Sequence, residues 1–196
     1  RMTGDWVSGP ETLTEEQLGA NREDLGASAH EHFLDDKYWK DRTPDLSKIN
    51  IPLLSSANWG GNGLHPRGNF EGFYLAGTEN KWLEVHGIEH WTEFYTDYGR
   101  QIQLDFFDHF LKGKENGWGE RPKVQLQVRH PGEKFVERFE NSWPLEKTQW
   151  TKFYLNASNA TLSREKSTEN ASLTYKGLSD GLTFMSRPLD TETEIT

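Results

Sequence analysis

The sequence contains no cysteine. That excludes disulfides, thiolate metal sites and a cysteine nucleophile, and it leaves the redox compartment open. It contains no apolar run near the roughly 18–20 residues that cross a bilayer. No secretory-leader pattern opens it either. No membrane partner is therefore expected, and a cytoplasmic location is favoured. A surplus of positive charge is also missing, since 22 Lys and Arg stand against 31 Asp and Glu, for a net charge of −9. Nucleic acid is not expected as a partner on that balance. Hydrophobic residues are sparse at 33% of 196, but aromatics reach 13%, with 8 Trp and 11 Phe, so the core is expected to form around large rings. The length suits one domain, or one domain and part of another. The chain opens on Arg1-Met2 and closes on Thr191-Glu-Thr-Glu-Ile-Thr196, which reads as the beginning of a strand. Both ends read as cuts in a longer chain.

The first helix is expected from Thr12 or Thr14 as cap, with Glu15 and Glu16 in its first turn and a thin apolar stripe of Leu18 and Leu25. A second short helix is expected at Asp35–Trp39, ending before Pro44. His30-Glu31-His32 reads as a solvated turn, with too few ligands for a metal. Leu53–Ala57, behind Pro52, reads as a buried parallel strand. A glycine-rich loop, Asn58–Asn69, follows it without the Gly-Lys-Ser or Gly-Lys-Thr of a phosphate loop. Phe70, Phe73, Tyr74 and Leu75 have helical spacing, and Lys81–His86 alternates as the next strand. Together these make a βαβ unit. From Thr92 to Leu111 apolar residues recur every three to four positions, and Gly113 is the stop. After Gly119 the period changes to that of antiparallel β, at Val124–Val128, Phe135–Phe139 and Thr151–Leu155. Asn156-Ala-Ser158, Asn159-Ala-Thr161 and Asn170-Ala-Ser172 are formal glycosylation triplets, of a kind that also arises by chance in such loops.

The stretch Lys81–Trp91 carries the most chemistry. An extended run breaks at Gly87 and presents His90 just ahead of a helical pattern; local pattern alone reads it first as an ordinary loop histidine, and otherwise as the catalytic base that α/β enzymes keep at such a place. His86-Gly-Ile-Glu-His90 also fits H-x-x-E-H, an inverted zinc-protease motif. That motif needs both histidines on one helical face. Gly87 and the strand-like run before it argue against a helix, so no metal is assigned. Acyl transfer by a Ser-His-acid triad is the other reading, in the chain order nucleophile, acid, histidine. Loops 58–69 and 87–91 stand in the order acid then histidine. No Gly-x-Ser-x-Gly occurs, so the serine is expected before Arg1.

Pro44-Asp-Leu-Ser-Lys-Ile-Asn-Ile-Pro-Leu-Leu54, Lys81-Trp-Leu-Glu-Val-His-Gly87, Phe106-Phe-Asp-His-Phe-Leu-Lys-Gly113 and Trp143-Pro-Leu-Glu-Lys-Thr-Gln-Trp-Thr-Lys-Phe-Tyr-Leu155 together resemble the CocE/NonD hydrolases, the cocaine-esterase and Xaa-Pro dipeptidyl-peptidase family. The resemblance spans essentially the whole chain. It implies an α/β class fold: the end of a helical cap at 1–43, the C-terminal part of an α/β-hydrolase domain at 44–117, and the start of a jelly-roll β-sandwich at 118–196. It implies no cofactor. The implied partners are a small ester, amide or peptide substrate and the upstream part of the same hydrolase, with self-association left open. His90 matches the family's catalytic histidine, although the family's Gly-Pro-Trp before it is not kept. The family's acid sits two residues after the tryptophan of a Gly-Gly-Trp-x-Asp run. Here that run is Ala57-Asn-Trp-Gly-Gly61, and Gly61 holds the aspartate's place. Glu71 or Glu89 could supply the acid, Asn58 or Asn62 could orient the histidine by a hydrogen bond, or activity is lost. Trp59, His65 and Trp91 are candidates for the substrate cleft, with core packing the alternative for the tryptophans. The competing reading is a degenerate, non-catalytic module that binds carbohydrate or protein through its β-sandwich.

Overall fold

The computed structural model describes residues 12–61, 63–87 and 89–195, without the side chain of His90. The chain divides into two compact units, Arg1–Leu46 and Ser47–Thr196.

In the first unit, α1 (Glu15–Ala20), α2 (Leu25–Glu31) and α3 (Lys37–Arg42) are each started by a polar cap. Thr14 and Gln17 form a reciprocal capping box on α1, while Asp24 and Asp36 accept from Ala27 N and Tyr38 N. The expected single stripe through Leu18 and Leu25 is thus two helices, because Asp24 caps a new start. His30 and Glu31 lie in α2 rather than in a turn, and His32 closes it. The His32 ring stacks on Tyr38 at 4.1 Å and its Nδ1 meets Asp36 Oδ2 at 2.7 Å, so local contacts account for it.

The second unit is mixed α/β, with a four-stranded sheet in the order β1 (Leu53–Asn58), β2 (Lys81–His86), β3 (Val124–His130), β4 (Lys134–Glu140). β1 and β2 are parallel, joined through α4 (Pro66–Leu75), as the βαβ reading expects. β3 adds to β2 in parallel, and β4 returns antiparallel. The change of period near residue 118 therefore does not interrupt the sheet. A separate ribbon pairs β5 (Tyr154–Asn156) with β6 (Thr161–Ser163). Residues 191–195 form no strand, so the expectation for Thr191–Thr196 is not met over its described part. In the first two glycosylation triplets the asparagine closes a local turn: Asn156 Oδ1 accepts from Ser158 N and Asn159 Oδ1 from Thr161 N.

β2 is buried on both faces. Leu83 and Val85 point into a cluster with Ala57, Phe73, Val124 and Leu126. Trp82 points the other way, into Ile102, Phe106 and Trp118. The second cluster depends on α6 (Asp97–Lys112), whose apolar face follows the expected period. Gly113 ends α6 in the left-handed region at φ 64°. The helix expected from Thr92 is split in two, because Thr96 caps α6 by accepting from Gly99 N, leaving α5 (His90–Phe94) as a separate turn. Gly99 lies so close to this break that a Cβ there would sit 1.9 Å from the Glu93 carbonyl oxygen.

Gly99→Ala should therefore force α5 and α6 apart. The expected loss of stability is at least about 1–3 kcal/mol, read as a lowered urea midpoint with an unchanged slope; wild-type stability in this variant would refute the packing argument.

Candidate functional site

β1 and β2 run in the same direction with Asn58 opposite His86, so their C-terminal ends lie side by side. The loop leaving β1 begins with a 3-10 turn at Trp59–Gly61, and the one leaving β2 begins at Gly87. Ligand sites of parallel sheets form in such places, because successive loops leave the same edge. Gln127 of β3 holds both loops. Its carbonyl accepts from Trp59 Nε1 at 2.6 Å, and its side-chain Oε1 accepts from Gly87 N at 2.8 Å. Gly87 is required by close packing, since a Cβ there would meet the Phe135 ring at 2.9 Å.

Beneath the first loop, Asn58 is 1% exposed. A Cβ on Gly61 would lie 2.7 Å from Asn58 Oδ1. The space that a side chain at position 61 would fill is therefore taken by the Asn58 carboxamide. That accounts physically for a glycine at the place where the family resemblance leads one to look for an aspartate.

The remaining sequence candidates are spread along these loops and helices. His90 begins α5, with Glu89 at the capping position before it, but the His90 side chain lies outside the described residues, as do Asn62 and Ile88. Glu89 is exposed and accepts from Thr92 Oγ1 at 3.0 Å. Glu71 is exposed on α4. Trp59 is half-buried, 5.9 Å from the Phe70 ring, which in turn lies 4.7 Å from Trp143. Its indole thus joins the core on one side while its N–H is tied to β3. His65 is exposed at the start of α4, and Trp91 is 62% exposed on α5.

Lys81–His86 is a strand, so the helical face needed by an H-x-x-E-H zinc site is absent there. His86 is instead engaged at Nδ1 by Glu84, at 3.0 Å and 3.2 Å from its two carboxylate oxygens. Ser56 Oγ donates to the same carboxylate at 2.5 Å. Neither Ser56 nor Glu84 stood out in the sequence. The signal was the placing of polar residues at 84 and 86 on one face of a strand that a parallel neighbour covers on each side. No described group of three or more His, Asp or Glu residues could hold a metal ion. No described helix is long and apolar enough to cross a membrane.

A mixed α/β unit with loops paired at the ends of parallel strands defines an α/β class of protein. The comparisons with known proteins refine this. Residues 116–196 match the family model described as the X-Pro dipeptidyl-peptidase C-terminal non-catalytic domain. A crystal structure of a CocE/NonD family hydrolase from Staphylococcus aureus matches with 42% identity and a TM-score of 0.66, over 73% of this chain and 26% of that one. A second crystal structure of a CocE/NonD family hydrolase from Staphylococcus aureus, at 1.95 Å, matches with 41% identity and a TM-score of 0.68, over 76% and 27%. These matches bear out the resemblance to the CocE/NonD hydrolases. The chain spans about a quarter of the length of these solved relatives, 26% and 27%. No curated protein matches the chain.

Gln127→Leu would leave the Gly87 N–H buried and without its acceptor. A cost of about 1–3 kcal/mol is expected, together with faster hydrogen exchange at the Gly87 amide. Unchanged exchange at Gly87 would show that Gln127 does not hold the loop.

Proposed function

We propose that this chain is the C-terminal part of a serine hydrolase of the Xaa-Pro dipeptidyl-peptidase or cocaine-esterase type, cleaving an acyl ester or amide bond. The observation that carries the reading is the attachment of the β1 and β2 loops to one residue, Gln127. It ties the start of the loop that carries the proposed catalytic histidine, at Gly87, to the loop that begins with Trp59. In this reading residues 1–43 end a helical cap, 44–117 complete an α/β-hydrolase domain, and 118–196 begin a jelly-roll β-sandwich whose first strand, β3, also pairs with β2 of the hydrolase part. The nucleophilic serine belongs to the upstream part of the same hydrolase.

His90 takes the serine proton as the hydroxyl attacks the carbonyl carbon, then returns it to the leaving alcohol or amine. Asn58 is the group we favour for orienting His90. Its carboxamide fills the space under Gly61, whereas Glu71 and Glu89 are both exposed. A neutral amide fixes a tautomer without stabilising the imidazolium as an anion does, so a modest rate is expected. Trp59, His65 and Trp91 line the substrate cleft in this reading. A non-catalytic binding role has one observation in its favour, the match of residues 116–196 to a domain described as non-catalytic.

In the full-length protein, a fluorophosphonate probe should label the serine, and His90→Ala should lower kcat by several orders of magnitude. Folded full-length protein that takes no label favours the binding role, and near-normal turnover in His90→Ala removes the assignment of the base. Asn58→Asp should move the acidic limb of the kcat/KM profile to higher pH, because an anion beside an imidazole raises its pKa. If the limb stays in place while Glu71→Gln or Glu89→Gln lowers turnover, the orienting role passes to that glutamate.

A further inference from the structure

A cavity of about 390 Å3 lies between the sheet and the pair α5 and α6. Leu54 and Ser56 of β1 and Glu84 and His86 of β2 form its floor, while the helices supply Glu93, Phe94, Tyr98 and Phe106 among its walls. The floor is unusual for the middle of a sheet. Glu84 is 5% and His86 4% exposed, and the partners described for the Glu84 carboxylate are a serine hydroxyl and an imidazole N–H. A buried carboxylate normally has a cation beside it. Here no lysine or arginine is among the cavity's described lining residues, and a second carboxylate, Glu93, stands at the helical side.

The histidine points the same way. Nδ1 faces the carboxylate at 3.0 Å, and in the neutral ring with its proton on Nδ1 the acceptor is Nε2. Nε2 is buried and has no hydrogen-bond partner among the described residues. A buried acceptor without a partner is costly, and a donor entering the cavity would remove that cost. Burial, and then the charge of Glu84, push the Tyr98 phenol up, so that it stays neutral. The cavity thus offers an unpaired acceptor, two carboxylates and aromatic faces.

We propose that this cavity binds a small primary ammonium ion with an aromatic or aliphatic body, its N–H groups donating to His86 Nε2 and to the carboxylates of Glu84 and Glu93, its body lying among Phe94, Ile102 and Phe106. An ammonium has several donors to share among these acceptors, and charge-assisted bonds are about twice as strong as neutral ones. Aromatic rings add attraction for a cation at their faces. An anion would face two carboxylates, and a hydrocarbon would leave Nε2 unpaired.

The test is titration of the full-length protein with benzylamine, benzyl alcohol and toluene, followed by calorimetry and by the imidazole nitrogen resonances of His86. Benzylamine should bind at least roughly tenfold more tightly than benzyl alcohol, toluene should bind more weakly still, and the Nε2 resonance of His86 should move with benzylamine. Ile102→Trp, which fills the cavity without touching the polar floor, should abolish binding. Glu84→Gln should weaken it roughly tenfold or more. If that variant fails to fold, Glu93→Gln should still weaken benzylamine and leave toluene unchanged. Equal binding of the three probes, an unmoved His86 resonance, unchanged affinity in Ile102→Trp, or no binding because another segment of the full-length chain fills the space would each overturn the proposal.

Discussion

β2 is covered on both faces, and the rest of the second unit depends on how that burial is met. On one face the solution is ordinary: Leu83 and Val85 pack with residues of α4 and β3. On the other, Trp82 meets Ile102, Phe106 and Trp118, but the next two positions are Glu84 and His86. Apolar neighbours cannot satisfy these side chains, so they satisfy each other, with Ser56 completing the chain across the strand pair. α6 can lie over this face because Trp82 and Trp118 fill the space at one end with large rings.

The same arrangement sets the ends of the strands. With β2 locked between β1 and β3, Gly87 leaves the sheet against the Phe135 ring and beneath Gln127. The close contact removes any side chain at 87, and the hydrogen bond satisfies the amide that the end of the strand leaves open. The β1 loop is fixed differently, by an indole N–H bonded to β3 and by Asn58 filling the space under Gly61. Packing, rather than loop sequence, thus decides where residues 59–61 and 87 lie. Conformational freedom lost at Gly61 and Gly87 is compensated by contacts from three different strands.

Local periodicity made much of this frame legible. The strands at 53–58 and 81–86, the helix after Pro66 and the long amphipathic helix ending at Gly113 all follow from spacing and caps. The break at Thr96 was less visible, because α5 and α6 share one apolar period and only the cap hydrogen bond separates them. The helix at Leu25–Glu31 was hidden by its shortness and thin stripe, though Asp24 marks its start. The pairing of Glu84 with His86 was concealed for a more general reason. Polar residues alternating with apolar ones normally mean a strand with one wet face. That inference fails where a helix covers the second face, and nothing within six residues of sequence reports such a cover. Gln127 is hidden in the same way, since its bonds reach 40 and 68 positions along the chain.

The contrast between Asn58 and the Glu84–His86 pair bears on what each can do. Both are buried polar features on neighbouring strands, but they differ in charge and in what they leave unpaired. Asn58 is neutral, and its carboxamide substitutes in space for a side chain at 61. It can hold a neighbour by hydrogen bonds at little electrostatic cost. Glu84 brings a carboxylate into the sheet, and His86 turns one nitrogen to that carboxylate while the other lacks a described partner. A site that only needed rigidity could use two apolar residues here, since replacing both partners of a buried hydrogen bond by apolar groups of the same shape can be nearly neutral or stabilising. The presence of a polar chain beside a cavity, on a strand whose other face packs Leu83 and Val85 into an apolar cluster, is therefore better explained by a ligand with donors than by stability alone.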